Sequence, residues 1–349
     1  MRTGKTTELA ARWLRRLLPA GLGLAGTGLL LLAVGPAELW GTLARFPLAA
    51  LPVVVLLLGG TYVAQGWRWH YLLRDAGVRL SLAESELLNL AGQAVTAVIP
   101  VGDLTRAAFA SQAARADFGQ AAATVTVQEL TYTVVLVVMA IPGIVALGVG
   151  LGPALVVLGG VLVVLALLTI DPAFKVVDRL VGRVPLLRRF QDQVEELQRS
   201  VVGLLRRPRT LAGVSVDLLR AVVAVSAFWV IAEQLEPGQL SWTVAAFVLT
   251  FSYIGGAVSM VPGGVGANEA SMVGLLVWSG MSPGPAAATA ILQRVFVTGL
   301  AMVFGLVAYA AARGRFGLGS LTGFPRAAGS ESRAPEMPAL EPEGLRLAA

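Results

Sequence analysis

Val261-Pro262-Gly263-Gly264-Val265-Gly266-Ala267-Asn268-Glu269 interrupts an otherwise apolar run in the second half of the chain. Proline removes a backbone donor and glycine adopts dihedrals that other residues avoid, so a regular helix cannot run through this stretch. Inside a bilayer the freed N–H and C=O groups find no water. Such a break therefore persists only where protein or a wet cavity surrounds it. A second break, Ile99-Pro100-Val101-Gly102-Asp103, lies in the first half. Paired interruptions of this kind point to an internally repeated membrane protein that handles something polar within the bilayer.

Composition supports a membrane setting. The chain is 56% hydrophobic and 14% charged, with a mean hydropathy of +0.74, which is too apolar for a water-soluble domain. It contains no cysteine, so disulfides, thiolate metal sites and cysteine nucleophiles are excluded. His70 is the single histidine and has no neighbouring ligands for a metal. It stands in Trp67-Arg68-Trp69-His70-Tyr71, which reads as an aromatic belt at headgroup level. Gly4-Lys5-Thr6 lacks the upstream glycine and preceding strand of a phosphate-binding loop. No metal and no cofactor is expected.

The net charge of +6 marks orientation rather than a nucleic-acid partner. Arg2, Lys5, Arg12, Arg15 and Arg16 precede the first apolar run. Lys175, Arg179, Arg183, Arg188, Arg189, Arg199, Arg206, Arg207 and Arg209 fill one long loop. Both regions are expected to be cytoplasmic in a plasma or inner membrane, as are both termini.

A span needs about 20 apolar residues. Runs of that kind occupy residues 17–35, 46–66, 120–142, 151–170, 210–234 and 285–312, with broken segments at 84–115 and 241–281. The expectation is an all-α polytopic bundle with six spans and two re-entrant hairpins, or eight spans if each hairpin crosses. Residues 1–16 form a basic amino terminus and 17–312 the membrane domain. Repeat one covers 46–170, an amphipathic cytoplasmic helix lies within 171–209, repeat two covers 210–312, and a disordered tail fills 313–349.

Arg68, Arg74 and Arg79 place the mouth of the first broken segment inside, whereas Glu233 and Glu236 place the mouth of the second outside. The halves are therefore expected to form an inverted repeat. Thr126-Val127-Gln128-Glu129-Leu130 echoes Ile291-Leu292-Gln293-Arg294-Val295 at a similar distance from the preceding break. Within the loop, Leu187, Phe190, Val194, Leu197, Val201 and Leu204 recur at steps of three and four, the stripe of a helix lying on the membrane or on the protein.

Ionisable residues inside spans are costly and mark candidate sites. Glu129 and Arg294 occupy equivalent places and are expected to offset one another's charge at the centre. Asp103 and Arg106 follow Gly102, and Asn268 and Glu269 follow Gly266, where helix amino termini expose donors suited to an anionic headgroup. Asp103 and Asn268 are equally placed to act as helix caps. Asp217 and Arg220, three apart, are expected to form a self-contained pair.

Asn89, Pro100, Gly102-Asp103, Arg106, Gln128-Glu129, the Pro262-Gly263-Gly264-Val265-Gly266-Ala267-Asn268-Glu269 motif and Arg294 together resemble the flippase-like membrane region of the lysylphosphatidylglycerol synthase family. The resemblance covers residues 15–312, and Asp103 stands where that family commonly carries Glu. It implies movement of a phospholipid between leaflets, without enzymatic activity, because the stretch after Arg313 is too short for a folded synthase domain. Asp103, Arg106, Glu129, Asn268, Glu269 and Arg294 would line the path, with Pro100, Gly102, Pro262, Gly263, Gly264 and Gly266 forming the breaks. Two alternatives remain beside translocation. One is a membrane-embedded lipid glycosyl or aminoacyl transferase, and the other a regulatory partner of a separate lipid-modifying enzyme.

Overall fold

The computed structural model describes residues 35–96, 103–183, 191–259 and 261–318. The first expected span, the Pro100–Gly102 break, Leu187, Phe190 and the tail beyond 318 lie outside them. The described residues are helical, with no strand among them. After α1 (Pro36–Ala44) and a short 3-10 turn come α2 (Leu51–Asp75), α3 (Leu82–Thr96), α4 (Asp103–Ala114) and α5 (Phe118–Ala146). Then follow α6 (Gly152–Thr169), α7 (Asp171–Arg183), α8 (Gln191–Leu205) and α9 (Pro208–Ala212). The chain continues through α10 (Val214–Leu235), α11 (Trp242–Val258), a 3-10 turn at Pro262–Gly264, α12 (Ala267–Trp278) and α13 (Pro283–Phe316).

Among the described residues, five segments are long and apolar enough to cross a membrane, containing α2, α5, α6, α9–α10 and α13. The arms of the broken segments are shorter. α3 has 15 residues, α4 12, α11 17 and α12 12, below the roughly 20 that a crossing requires. Each pair of arms packs on itself, α3 on α4 and α11 on α12.

The order long, short, short, long thus occurs twice, in α2–α5 and in α10–α13. Contacts between these units are reciprocal: α2 packs on α10, α3 on α13, and α11 on α5. Hydrogen bonds and an ion pair tie the ends. Arg315 donates to Glu84 Oε1 at 2.7 Å, and Arg207 lies 3.8 Å from Asp75, so the mouth of the α3–α4 hairpin sits at the basic end. Glu236 accepts from the Ser282 amide at 2.8 Å and its hydroxyl at 2.7 Å. This joins the end of α10 to the start of α13, where the α11–α12 hairpin opens, at the other end.

Size rather than hydrophobicity decides what is buried, because lipid solvates leucine as well as protein does and close backbone approach supplies the attraction. On α13, Ala301, Gly305, Ala308 and Ala312 face inward, while Val303, Leu306 and Val307 face outward. A Cβ on Gly305 would stand 2.6 Å from the Ala94 nitrogen on α3. Gly143 on α5 makes the matching approach to α11, where a Cβ would stand 2.9 Å from Phe247 Cβ.

Three expectations change. Trp67 and Tyr71 are exposed in the manner of a belt, but Arg68, Trp69 and His70 are buried. Trp69 donates to Thr124 at 2.8 Å and His70 lies 3.0 Å from the Ser85 hydroxyl. Arg68 is therefore no loop charge. The amphipathic segment is two helices, α7 and α8. Val201 and Leu204 of α8 bury themselves against Leu72, Ala123 and Val127, so α8 docks on protein.

Gly305→Leu should lower stability by about 1–3 kcal/mol through overpacking against α3. A reduced thermal midpoint in detergent, compared with Gly299→Leu at an open position, checks this. An unchanged midpoint would refute the close packing of α3 on α13.

Candidate functional site

The motif in the second half builds its turn from glycines with positive φ, at 62° for Gly263, 63° for Gly264 and 82° for Gly266. Side chains rarely adopt this conformation. Gly264 also passes Gly256 of α11 so closely that a Cβ would lie 3.3 Å from its Cα. The turn presents the Gly263 carbonyl to Arg294 Nη1 at 2.8 Å. Glu269 accepts the Gly266 amide at 2.7 Å through Oε2, while its Oε1 pairs with Arg294 Nε. Glu269, rather than Asn268, closes the start of α12, and Asn268 Oδ1 is buried without a partner.

The first half uses the same parts with reversed polarity. Arg106 on α4 is fully buried and donates to Glu129 Oε1 of α5 at 2.7 Å, Gln128 at 3.0 Å and Asn89 at 3.1 Å. Its guanidinium lies 5.4 Å from the Trp69 ring. Gly92 makes room, since a Cβ there would fall 2.7 Å from Arg106 Cβ. Glu129 follows the first residue of α5 by eleven positions, as Arg294 does that of α13. A glutamine precedes each. The hairpin contributes the cation in one half and the anion in the other.

Glu129 and Arg294 are consequently not paired with each other: each takes its counter-ion from the hairpin of its own half. Both nevertheless face one cavity of about 370 Å³, which Asp103, Arg220, Tyr253 and Gln93 also line. A second cavity of about 520 Å³ holds Asn268 and Glu269 and shares Arg294, Gln293, Tyr253 and Gly263 with the first. Asp103, Glu129, Asn268, Glu269 and Arg294 therefore all reach open space. Arg106 lines neither cavity: both its Nη atoms are hydrogen-bonded, and its Nε is buried without a partner.

Asp217 and Arg220 do not pair either. Asp217 accepts from Arg68 Nε at 3.3 Å and from Thr131 at 2.8 Å, and Arg68 also donates to the Thr210 carbonyl at 2.8 Å. Arg220 turns to the cavity, 3.7 Å from Glu129 Oε1 and 3.8 Å above the Tyr132 ring.

Sequence reading missed Gln65, Gln93 and Tyr253. Gln65 bridges the first site, accepting from Gln93 at 3.0 Å and, through its carbonyl, from Gln128 at 2.8 Å. Tyr253 meets Gln293 at 3.3 Å. An uncharged amide or phenol within an apolar run was the available signal. No cluster of three or more metal-ligating side chains occurs among the described residues.

The two polarities generate a test. Exchanging Glu269→Arg with Arg294→Glu keeps opposite charges in one site and should retain a folded protein. Exchanging Glu129→Arg with Arg294→Glu instead sets two guanidiniums together at one site and two carboxylates at the other. That second variant should lose at least about 3–5 kcal/mol, the scale of a broken buried pair. Thermal unfolding compares the two, and equal stability would refute the pairing within each half.

A family model described as the lysylphosphatidylglycerol synthase TM region matches residues 18–305, a range that includes both hairpins and the docked α8. No curated protein matches the chain.

Proposed function

The chain belongs to the family of the lysylphosphatidylglycerol synthase TM region, and from that premise we propose that it is a flippase-like phospholipid translocase. In this reading α2–α5 and α10–α13 are inverted repeats with cytoplasmic basic ends. The headgroup passes between them while the acyl chains stay in lipid. The observation that carries the proposal is the pair of adjoining cavities, about 370 and 520 Å³, that share Arg294 and bring several charged and polar side chains onto an otherwise apolar wall, between hairpins opening at opposite ends.

A phosphate in hydrocarbon would lose its hydration without replacement, at a cost of many kcal/mol. Guanidinium and backbone donors in the cavity substitute for that water. Arg294 is suited to the exchange because Glu269 and the Gly263 carbonyl hold two of its nitrogens, while Nη2 has no partner. Glu269 keeps the arginine extended and ties it to the start of α12. The mirror pair, Arg106 with Glu129, anchors the other hairpin to α5 and leaves Asp103 open to the cavity.

Vesicles reconstituted with the protein and labelled phospholipids test this proposal. Leaflet exchange should exceed that of empty vesicles, and Arg294→Ala and Glu269→Gln should each slow it by about tenfold or more, the kinetic equivalent of losing one charged hydrogen bond. Exchange equal to that of empty vesicles would reject translocation. Exchange unchanged in both variants would reject the assigned site.

A further inference from the structure

Three close ion pairs neutralise most of the buried charge: Arg68 with Asp217, Arg106 with Glu129, and Arg294 with Glu269. Arg220 and Asp103 remain. Both line the 370 Å³ cavity, and each has only a more distant counter-ion that is already engaged elsewhere. Arg220 Nη1 lies 3.7 Å from Glu129 Oε1 and has no hydrogen-bond partner. Asp103 Oδ1 lies 3.9 Å from Arg106 Nε, and its side chain is 39% exposed.

No ion pair joins the two among the described residues. The stack on Tyr132 fixes the Arg220 plane without using an N–H. One spare cation and one spare anion on a single cavity are costly in isolation, and a ligand carrying both charges relieves both costs. A phosphate accepts charge-assisted hydrogen bonds from a guanidinium, and a primary ammonium offers three donors to a carboxylate. An anionic headgroup would leave Asp103 repelled, and a net-cationic one would bring a charge with no spare carboxylate to meet it.

We propose that this cavity selects phospholipids whose headgroup carries one phosphate and one primary ammonium, Arg220 receiving the phosphate and Asp103 the ammonium. The assignment rests on the translocase reading and specifies the substrate class of that site.

Binding of short-chain phosphatidylethanolamine and phosphatidylglycerol to the purified full chain in detergent tests it apart from transport. Phosphatidylethanolamine should bind at least about tenfold more tightly. Asp103→Asn should abolish the preference and Asp103→Glu should retain it. Arg220→Gln should weaken both lipids, with Arg220→Lys retaining part of the affinity and serving as the folded control. Equal affinity for the two lipids in the wild type, or an unchanged preference in Asp103→Asn, overturns the proposal. Glycerophosphoethanolamine, which lacks tails, should compete poorly. Competition as strong as the lipid's would assign the site to a soluble phosphoamine and overturn the lipid assignment. Leaflet exchange measured in parallel separates the two readings: selective binding without exchange rejects translocation alone, and exchange without headgroup preference rejects this inference alone.

Discussion

Hydrocarbon offers nothing to hydrogen-bond, so every interrupted helix and every charge within this bundle must be answered by another part of the same chain. The two hairpins meet that constraint with one device. A charge on the second arm reaches a charge on the following long helix, and neutral groups complete the shell. Arg106 is the stricter case. With no exposure and three side-chain acceptors, it binds α3, α4 and α5 into one unit. Arg294 is the looser case, partly open to both cavities and tied to a turn built from glycines.

Other contacts follow from holding those pairs in place. The halves are fastened toward the basic end by Arg68, which joins α2 to Asp217 of α10 and to the Thr210 carbonyl. At the other end Glu236 fastens α10 to Ser282 at the start of α13. Between the two fastenings the interior stays open. Glycine and alanine at the helix crossings allow the backbones to approach, and larger aliphatic residues face outward. The cavities thus lie within a frame whose ends are tied, an arrangement in which a polar group can be accommodated without exposing the paired charges.

Much of the membrane architecture was legible in one dimension. Long apolar runs forecast the five spans that the described residues contain, and Pro262 with its glycines marks an irregular turn. The equivalence of Glu129 and Arg294 was visible as an echo, Gln128-Glu129 against Gln293-Arg294. Their partners were not. Sequence spacing places residues on a helix but says little about which neighbouring helix faces them, so Glu129 was matched with Arg294 and Asp217 with Arg220. The charges also appeared equally available, whereas Arg106 and Asp217 are held in close ion pairs and Arg220 has only a more distant counter-ion. Gln65 and Tyr253 escaped notice because a single uncharged polar residue in an apolar run carries a weak signal until packing gathers several around one space.

By itself the sequence determined the solvent of this protein, the five long helices that the described residues contain and the position of the Pro262 break. Those properties depend on local chemistry: apolar length against bilayer thickness, and the backbone freedom of Gly263, Gly264 and Gly266. Only the tertiary structure decided which charge neutralises which, which face of α8 is buried, and that Arg220 and Asp103 are left facing one cavity. These outcomes depend on distances between helices far apart in the chain, and an ion pair weakens or holds over a few ångströms that no spacing along the sequence encodes.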